Sequence, residues 1–356
     1  MVQLQELCHC LLGSANGNRL WADLAARRSP LGCDSSTSTS TSTQTTLLDP
    51  MLRYALRRLA QTLPLAVVVC ALVFSLIHLI PGDPVEIMLG DGARPAEVEA
   101  LRHELGLDRP LGEQFFSYFA GLLTLDLGSS LRFRQPVMSL LAAHYPATMQ
   151  LAFASMLAAL LIAVPLGILA ALHRDRPLDH GSRFLALLGV SMPNFWLGPM
   201  LIWLLAIHFD WLPVSGRGGF ASLVLPAITL GTALAGMLTR MVRSSLAEEL
   251  RRPYLVAARA KGLSFSRAVA GHALRNASIP VVTIVGLQFG ALLTGAIITE
   301  TIFSWPGIGR LVVQAIQARD YPLVQGGVLA IALTYLLINL LTDLTYALLD
   351  ARIRLR

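Results

Sequence analysis

The segment Tyr145-Pro-Ala-Thr-Met-Gln-Leu-Ala-Phe-Ala-Ser-Met-Leu-Ala-Ala-Leu-Leu-Ile-Ala-Val-Pro-Leu-Gly-Ile-Leu-Ala-Ala-Leu172 contains no Asp, Glu, Lys or Arg. A helix needs about 20 mostly apolar residues to cross a bilayer, and this stretch exceeds that length. Leu59–Gly82, Phe184–Phe209, Gly218–Thr239, Asn276–Thr299 and Tyr321–Thr342 are equally free of these charges. One such run would suit a buried helix of a soluble protein; six in one chain do not. Composition agrees: of 356 residues, 54% are hydrophobic and only 14% charged, against about 25% charged in an average soluble protein. The expected fold class is therefore an all-α polytopic membrane protein. Its six transmembrane helices fall at about 59–82, 148–172, 184–208, 219–242, 278–299 and 321–349, with an outer loop at 83–144 and a cytoplasmic loop at 243–277.

Basic residues orient the spans. Arg53, Arg57 and Arg58 precede the first, and Arg174, Arg176 and Arg183 separate the second from the third. Arg243, Arg251, Arg252, Arg259, Lys261, Arg267 and Arg275 lie between the fourth and fifth, and Arg352, Arg354 and Arg356 end the chain. The intervening loops carry fewer, and 83–134 is net acidic. Both termini are expected in the cytoplasm. The net charge of +6 then reflects arginine crowding on one membrane face rather than nucleic-acid binding. Cys8, Cys10, Cys33 and Cys70 form neither a disulfide framework nor a zinc-site spacing, and no metal site is expected.

Residues 1–50 differ in character. The Ser/Thr tract at 35–43 cannot build a core, and the segment lacks the basic start and apolar stretch of a signal peptide. It is read as a disordered extension or as a start assigned too early, with Met51 the true first residue. In the outer loop, Pro95–Gly106 reads as a short helix, with proline and acids at its start and glycine at its end. Phe115, Phe116, Tyr118 and Phe119 follow, suiting a helix at the membrane interface or one packed on protein alone.

The 251–280 segment is the most informative. Ala257, Ala258 and Ala260 favour helix, Gly262 can take the left-handed conformation that ends it, and Ser264 suits an N-cap. Pro280 is expected to open the next span. The result is helix, tight turn, helix, with small side chains that let another protein approach the backbone closely. A DNA-binding helix-turn-helix shares the glycine turn. Its second helix, however, should offer polar groups to base edges, whereas this one offers Phe265, Ala268, Val269 and Ala270.

These residues carry a resemblance. Ala257-Ala-Arg-Ala-Lys-Gly-Leu-Ser264, followed by His272-Ala-Leu-Arg-Asn-Ala277 and Pro280, resembles the EAA loop of ABC-importer permeases of the dipeptide/oligopeptide/nickel family. Ile80-Pro-Gly-Asp-Pro84, Leu105-Gly-Leu-Asp-Arg-Pro-Leu111, Leu125-Asp-Leu-Gly128, Phe303-Ser-Trp-Pro-Gly-Ile-Gly309 and Arg319-Asp-Tyr-Pro322 match the same family in order, across 51–356. The chain looks like the DppB/OppB-type subunit, and its compact outer loop is most similar to the glutathione-importer permeases. Val256 stands where the general EAA pattern has glutamate, and Pro280 falls later than in that pattern; both look typical of the peptide branch.

The resemblance implies a type I importer permease fold in a bacterial inner membrane, forming a path for di- or oligopeptides or a related solute such as glutathione. It implies a DppC/OppC-type second permease as heterodimer partner, two ATP-binding subunits that hold the ATP and magnesium, and an extracytoplasmic solute-binding protein. Tyr254, Ala257, Ala258, Arg259, Ala260, Lys261, Gly262 and Leu263 would form the coupling turn against an ATPase subunit. The chain has no Gly-Lys-Ser/Thr phosphate loop, no Gly-x-Ser-x-Gly elbow and no His-Glu-x-x-His. It is thus expected to be no enzyme and to bind no cofactor itself. A channel or ion-coupled carrier would need repeated intramembrane charges or internal repeats.

Within the spans, Asn339 and Asp343 share a helix face. They read as a path contact, as a polar lock to another helix, or, for Asp343, as a group at the inner interface. Pro193 should free the Gly189 carbonyl and kink the third span, as a gating hinge or a fixed packing kink. Glu300 and Asp320 flank an outer loop and read as binding-protein contacts or as solvated charges.

Overall fold

The computed structural model describes residues 48–79, 83–90, 94–104 and 106–349. The expectation for the N-terminal extension falls almost entirely outside them. Among the described residues the chain is helical, with one isolated β-bridge, Ser129 to Pro136. Five helices are long and apolar enough to cross a membrane; a bent pair raises the total to six if counted as one span.

The first long helix, α1 (Leu48–Leu79), is peripheral. Leu63, Val68 and Leu72 lie exposed along it, as lipid-facing residues should. The outer segment then forms α2 (Pro84–Leu89), α3 (Pro95–Glu104) and α4 (Leu111–Leu123). Asp83 caps α2 by accepting from the Val85 amide, with Pro84 at the first helical position, where its missing N–H costs nothing. Helix α4 leans its aromatic edge on α1, with Phe115 edge-on to Phe74 at 5.4 Å, and leaves Phe116 and Leu123 exposed.

Helix α5 (Val137–Leu172) is the long central span. The next span is not one helix. α6 (Pro177–Ser191) and α7 (Asn194–Leu201, extended by a π-turn at Ile202–His208) meet at 102°. The sequence predicted a kink, and the outcome is a full break. Proline has no N–H to donate and pushes the preceding residue out of helical geometry; Met192 and Pro193 are both extended (ψ 117° and 139°).

Helix α8 (Phe220–Glu249) is the spine. Small residues let its neighbours close on it: a Cβ on Gly231 would lie 2.9 Å from the Ser155 carbonyl oxygen of α5, and one on Gly236 would lie 2.3 Å from that of Ala186 on α6. Such close packing is what holds helices together where lipid removes the hydrophobic drive. After α8 come α9 (Pro253–Ala260), α10 (Phe265–Ala268, continued by a π-turn to Ala273), α11 (Leu274–Ile302), α12 (Ile308–Gln317) and α13 (Tyr321–Leu349). Pro280 lies inside α11 rather than opening it. Helix runs on from Phe265 through the π-turn and past Pro280 without a break. The main core joins α5, α8, α11 and α13 around Leu151, Leu230, Leu238, Leu292 and Trp305.

Candidate coupling site

The turn between α8 and α11 is built on an apolar base. Leu246, Leu255, Ala268, Val269, Ala273 and Ala277 bury against Ala171 of α5. Leu255 is the buried anchor of α9, and Pro253 starts that helix. Tyr254 donates a 2.6 Å hydrogen bond to Glu249. Burial, and then this bond to a carboxylate, push its phenol above the ordinary value. The end of α9 forms a Schellman motif: the Leu263 amide donates to the Ala258 carbonyl at 3.3 Å and the Gly262 amide to that of Arg259 at 2.9 Å. Gly262 has φ +91°, a left-handed geometry that glycine adopts without a side-chain penalty. Ser264 takes the N-cap position of α10, but its side chain makes no capping bond.

The surface that results is small and open. Ala257, Arg259, Ala260, Lys261, Gly262 and Leu263 are exposed and Ala258 is half-buried. Val256 and Phe265 add exposed apolar area, and Arg259 lies 5.7 Å over the Phe265 ring. The turn thus brings together every residue the sequence assigned to it. It holds no nucleophile–base pair. It presents small side chains and two cations on a hydrogen-bonded backbone turn.

A second polar feature at this end was not anticipated. Asp179, in the first turn of α6, is fully buried. It accepts from Arg243 of α8 at 2.6 and 2.7 Å, from Arg183 at 3.1 and 2.8 Å, and from the Asp175 amide at 3.0 Å. The i,i+4 spacing of Asp179 and Arg183 is a visible signal. The partner on α8 is not, because it lies 64 positions away.

At the opposite end, Glu300 and Asp320 require a correction: both are buried, so neither is presented to a partner or to water. Glu300 accepts from Thr148 Oγ1 at 2.7 Å and from the Arg310 amide at 2.9 Å, while the Ile308 amide donates to Thr148 at 2.8 Å. Trp305, also buried, donates from Nε1 to the Ala147 carbonyl at 2.8 Å. Asp320 accepts from the Ser130 hydroxyl and from the amides of Arg132 and Leu323. These carboxyl groups cross-link outer segments, because buried polar groups need internal partners.

Asp343 pairs with Arg58 of α1 at 3.3 Å, both half-exposed. Asn339 lies over Gly290 of α11, and its buried Oδ1 has no hydrogen-bond partner. The two are not brought onto one neighbouring helix. An apolar groove of about 510 Å³ runs between α5, α11 and α13, lined by Phe153, Met156, Phe289 and Ile338 among others. Among the described residues no cluster of His, Cys, Asp or Glu is placed to hold a metal.

Comparison with known proteins bears on this geometry. Residues 163–355 match the family described as binding-protein-dependent transport system inner membrane component. Residues 51–152 match the N-terminal family of such membrane components. The chain is 44% identical over 336 residues to the dipeptide transport system permease protein DppB of Escherichia coli (strain K12), covering 85% of this chain and 99% of that protein. It is 44% identical over 333 residues to the di/tripeptide permease DppB of Pseudomonas aeruginosa (strain UCBPP-PA14), with the same coverage. It is 42% identical over 304 residues to the glutathione permease GsiC of Salmonella choleraesuis (strain SC-B67), again covering 85% and 99%.

Proposed function

The chain belongs to the binding-protein-dependent transport system inner membrane components, and from that membership we propose that it forms half of the path by which an ABC importer takes up di- or oligopeptides or glutathione. It is a multi-pass inner-membrane permease with the all-α fold of that family. The proposed partners are a DppC/OppC-type permease, two ATP-binding subunits and a solute-binding protein. ATP and magnesium would sit on the ATPase subunits. The arginine distribution supports a cytoplasmic location for both termini and for the 257–264 turn.

One observation carries the coupling role. A Schellman-capped turn presents small residues and two cations on a base of packed apolar side chains. A docked ATPase subunit that closes on nucleotide would push a stiff element, and stiff helices transmit such motion as rocking of the spans. Peptides as substrate rest on the relatives' names, which cover nearly their whole length. Uptake of labelled dipeptide against labelled glutathione by the reconstituted assembly decides between them.

The test of coupling is co-purification in detergent. Gly262→Arg places a long cation where a Cβ meets open space; it should lose the ATPase subunits and keep the second permease. Gly262→Asn tolerates the left-handed backbone and should retain both. If Gly262→Arg brings down the ATPase as well as the wild type does, the turn is only a linker.

A further inference from the structure

Asp179 lies outside the turn, yet it ties α6 to α8, the helix that leads into the turn. Helices α6 and α8 meet in one antiparallel register along the length of α6. Asp179 holds Arg243 at one end; Gly236 closes on the Ala186 carbonyl in the middle; and a Cβ on Gly189 would lie 2.8 Å from the Thr232 carbonyl at the other end. Of the two guanidinium groups only that of Arg243 crosses between the helices, and sliding them past one another breaks its two charge-assisted hydrogen bonds to the buried carboxylate, which are stronger than neutral ones.

Beyond the break at Met192–Pro193 the chain packs on the outer end of α8 and on the residues that end α11. On α7, a Cβ at Gly198 would meet Phe303 at 3.3 Å and Ile302 at 3.4 Å. Ala206 packs with Phe303 and Leu225, and the Gly216 amide donates to the Phe303 carbonyl at 2.9 Å. Phe303 leads directly into the Trp305–Glu300 cross-link. The two halves of the broken span therefore attach to different parts of the frame: α6 to the length of α8 that leads to the turn, α7 to the outer end of α8 at Leu225 and to the outer knot.

We propose that Asp179 is a positioning residue for energy coupling: it locks α6 to α8, so that displacement of the turn carries both as one body and is taken up as a change of angle at Met192–Pro193. This rests on the reading of the turn as the ATPase contact.

The experiment uses the assembled transporter, with second permease, ATPase subunits and binding protein, in lipid nanodiscs. Spin-label pairs at Gly181 with Ser244, and at Gly181 with Met200, are measured nucleotide-free and vanadate-trapped. The 181–244 distance should stay fixed while the 181–200 distance shifts. Asp179→Asn should keep ATPase subunits bound and ATP hydrolysis running, while transport per ATP falls about tenfold or more. A 181–244 distance that changes on trapping in the wild type overturns the proposal, as does wild-type transport per ATP in Asp179→Asn. If that variant does not assemble, the wild-type distances decide alone. A wild-type assembly that neither holds ATPase subunits nor transports overturns the coupling reading and this inference together. One that transports with α6 and α8 moving apart overturns this inference only.

Discussion

At the turn, Gly262 has φ +91° and nothing within 4 Å of where a Cβ would stand. At the outer knot, Gly307 has φ −97°, open to any residue, but a Cβ there would fall 2.0 Å from Glu300 Oε1. One glycine supplies a backbone shape and leaves the surface free. The other supplies space inside a closed polar network. The ends of the molecule are built on these two plans. The turn leaves its small residues exposed on the surface. The knot satisfies its polar groups internally and holds α5, α11 and α12 in fixed relation.

The largest effect that would break this contrast is Gly307→Ala. The Glu300 carboxyl would have to leave its partners, and it has no other place to go. A loss of about 3 kcal/mol is expected, read as a lower unfolding temperature and poor yield in detergent. Near wild-type stability would mean that the knot is loose. Thr148→Val comes next. It keeps the shape but removes the hydroxyl that serves both Glu300 and the Ile308 amide. Leaving buried groups unpaired costs about 2 kcal/mol, and the same melt measures it.

Gly262→Ala should behave in the opposite manner. The left-handed backbone costs a non-glycine residue about 1 kcal/mol, and no steric clash is added. Stability should drop slightly, and the ATPase subunits should stay bound as they do for Gly262→Asn, in contrast to Gly262→Arg. If Gly262→Ala melts as low as Gly307→Ala, the turn is part of the structural core and the contrast between the two ends collapses.

How much of this was legible in the sequence follows the same division. The apolar runs predicted the membrane helices because lipid forces every backbone group into helical pairing. The turn was legible because its chemistry is local: alanines, a glycine and a stiff start within a dozen residues. The bonding at the knot was not. Glu300 and Asp320 look like loop charges until Thr148 and Ser130 arrive from 152 and 190 positions away. Asp179 failed for the same reason, its second guanidinium coming from another helix. Pro193 signalled an irregularity, but the 102° angle comes from packing α6 on α8 and α7 on Phe303, which no local pattern encodes. The family resemblance supplied a role for the turn but none for these long-range partners.

The smallest effect sharpens the comparison from the turn's side. Tyr254 is the one turn residue whose hydrogen bond ties the exposed segment back to α8. Its phenol is raised above the ordinary value of about 10 by burial and then by Glu249. A raised folded value means the folded protein holds the proton more tightly than the unfolded chain. The contribution to stability is therefore complete below about pH 10 and is lost as pH climbs through the folded value. Tyr254→Phe should cost about 0.5 kcal/mol at neutral pH, the low end for a hydrogen bond of this exposure, and should flatten the decline of stability above pH 10. A variant that keeps the wild-type alkaline slope would show that Glu249 and the turn are held by the apolar base alone. The Tyr254–Glu249 bond would then add nothing to what Leu246, Leu255, Ala268 and the Schellman hydrogen bonds already hold.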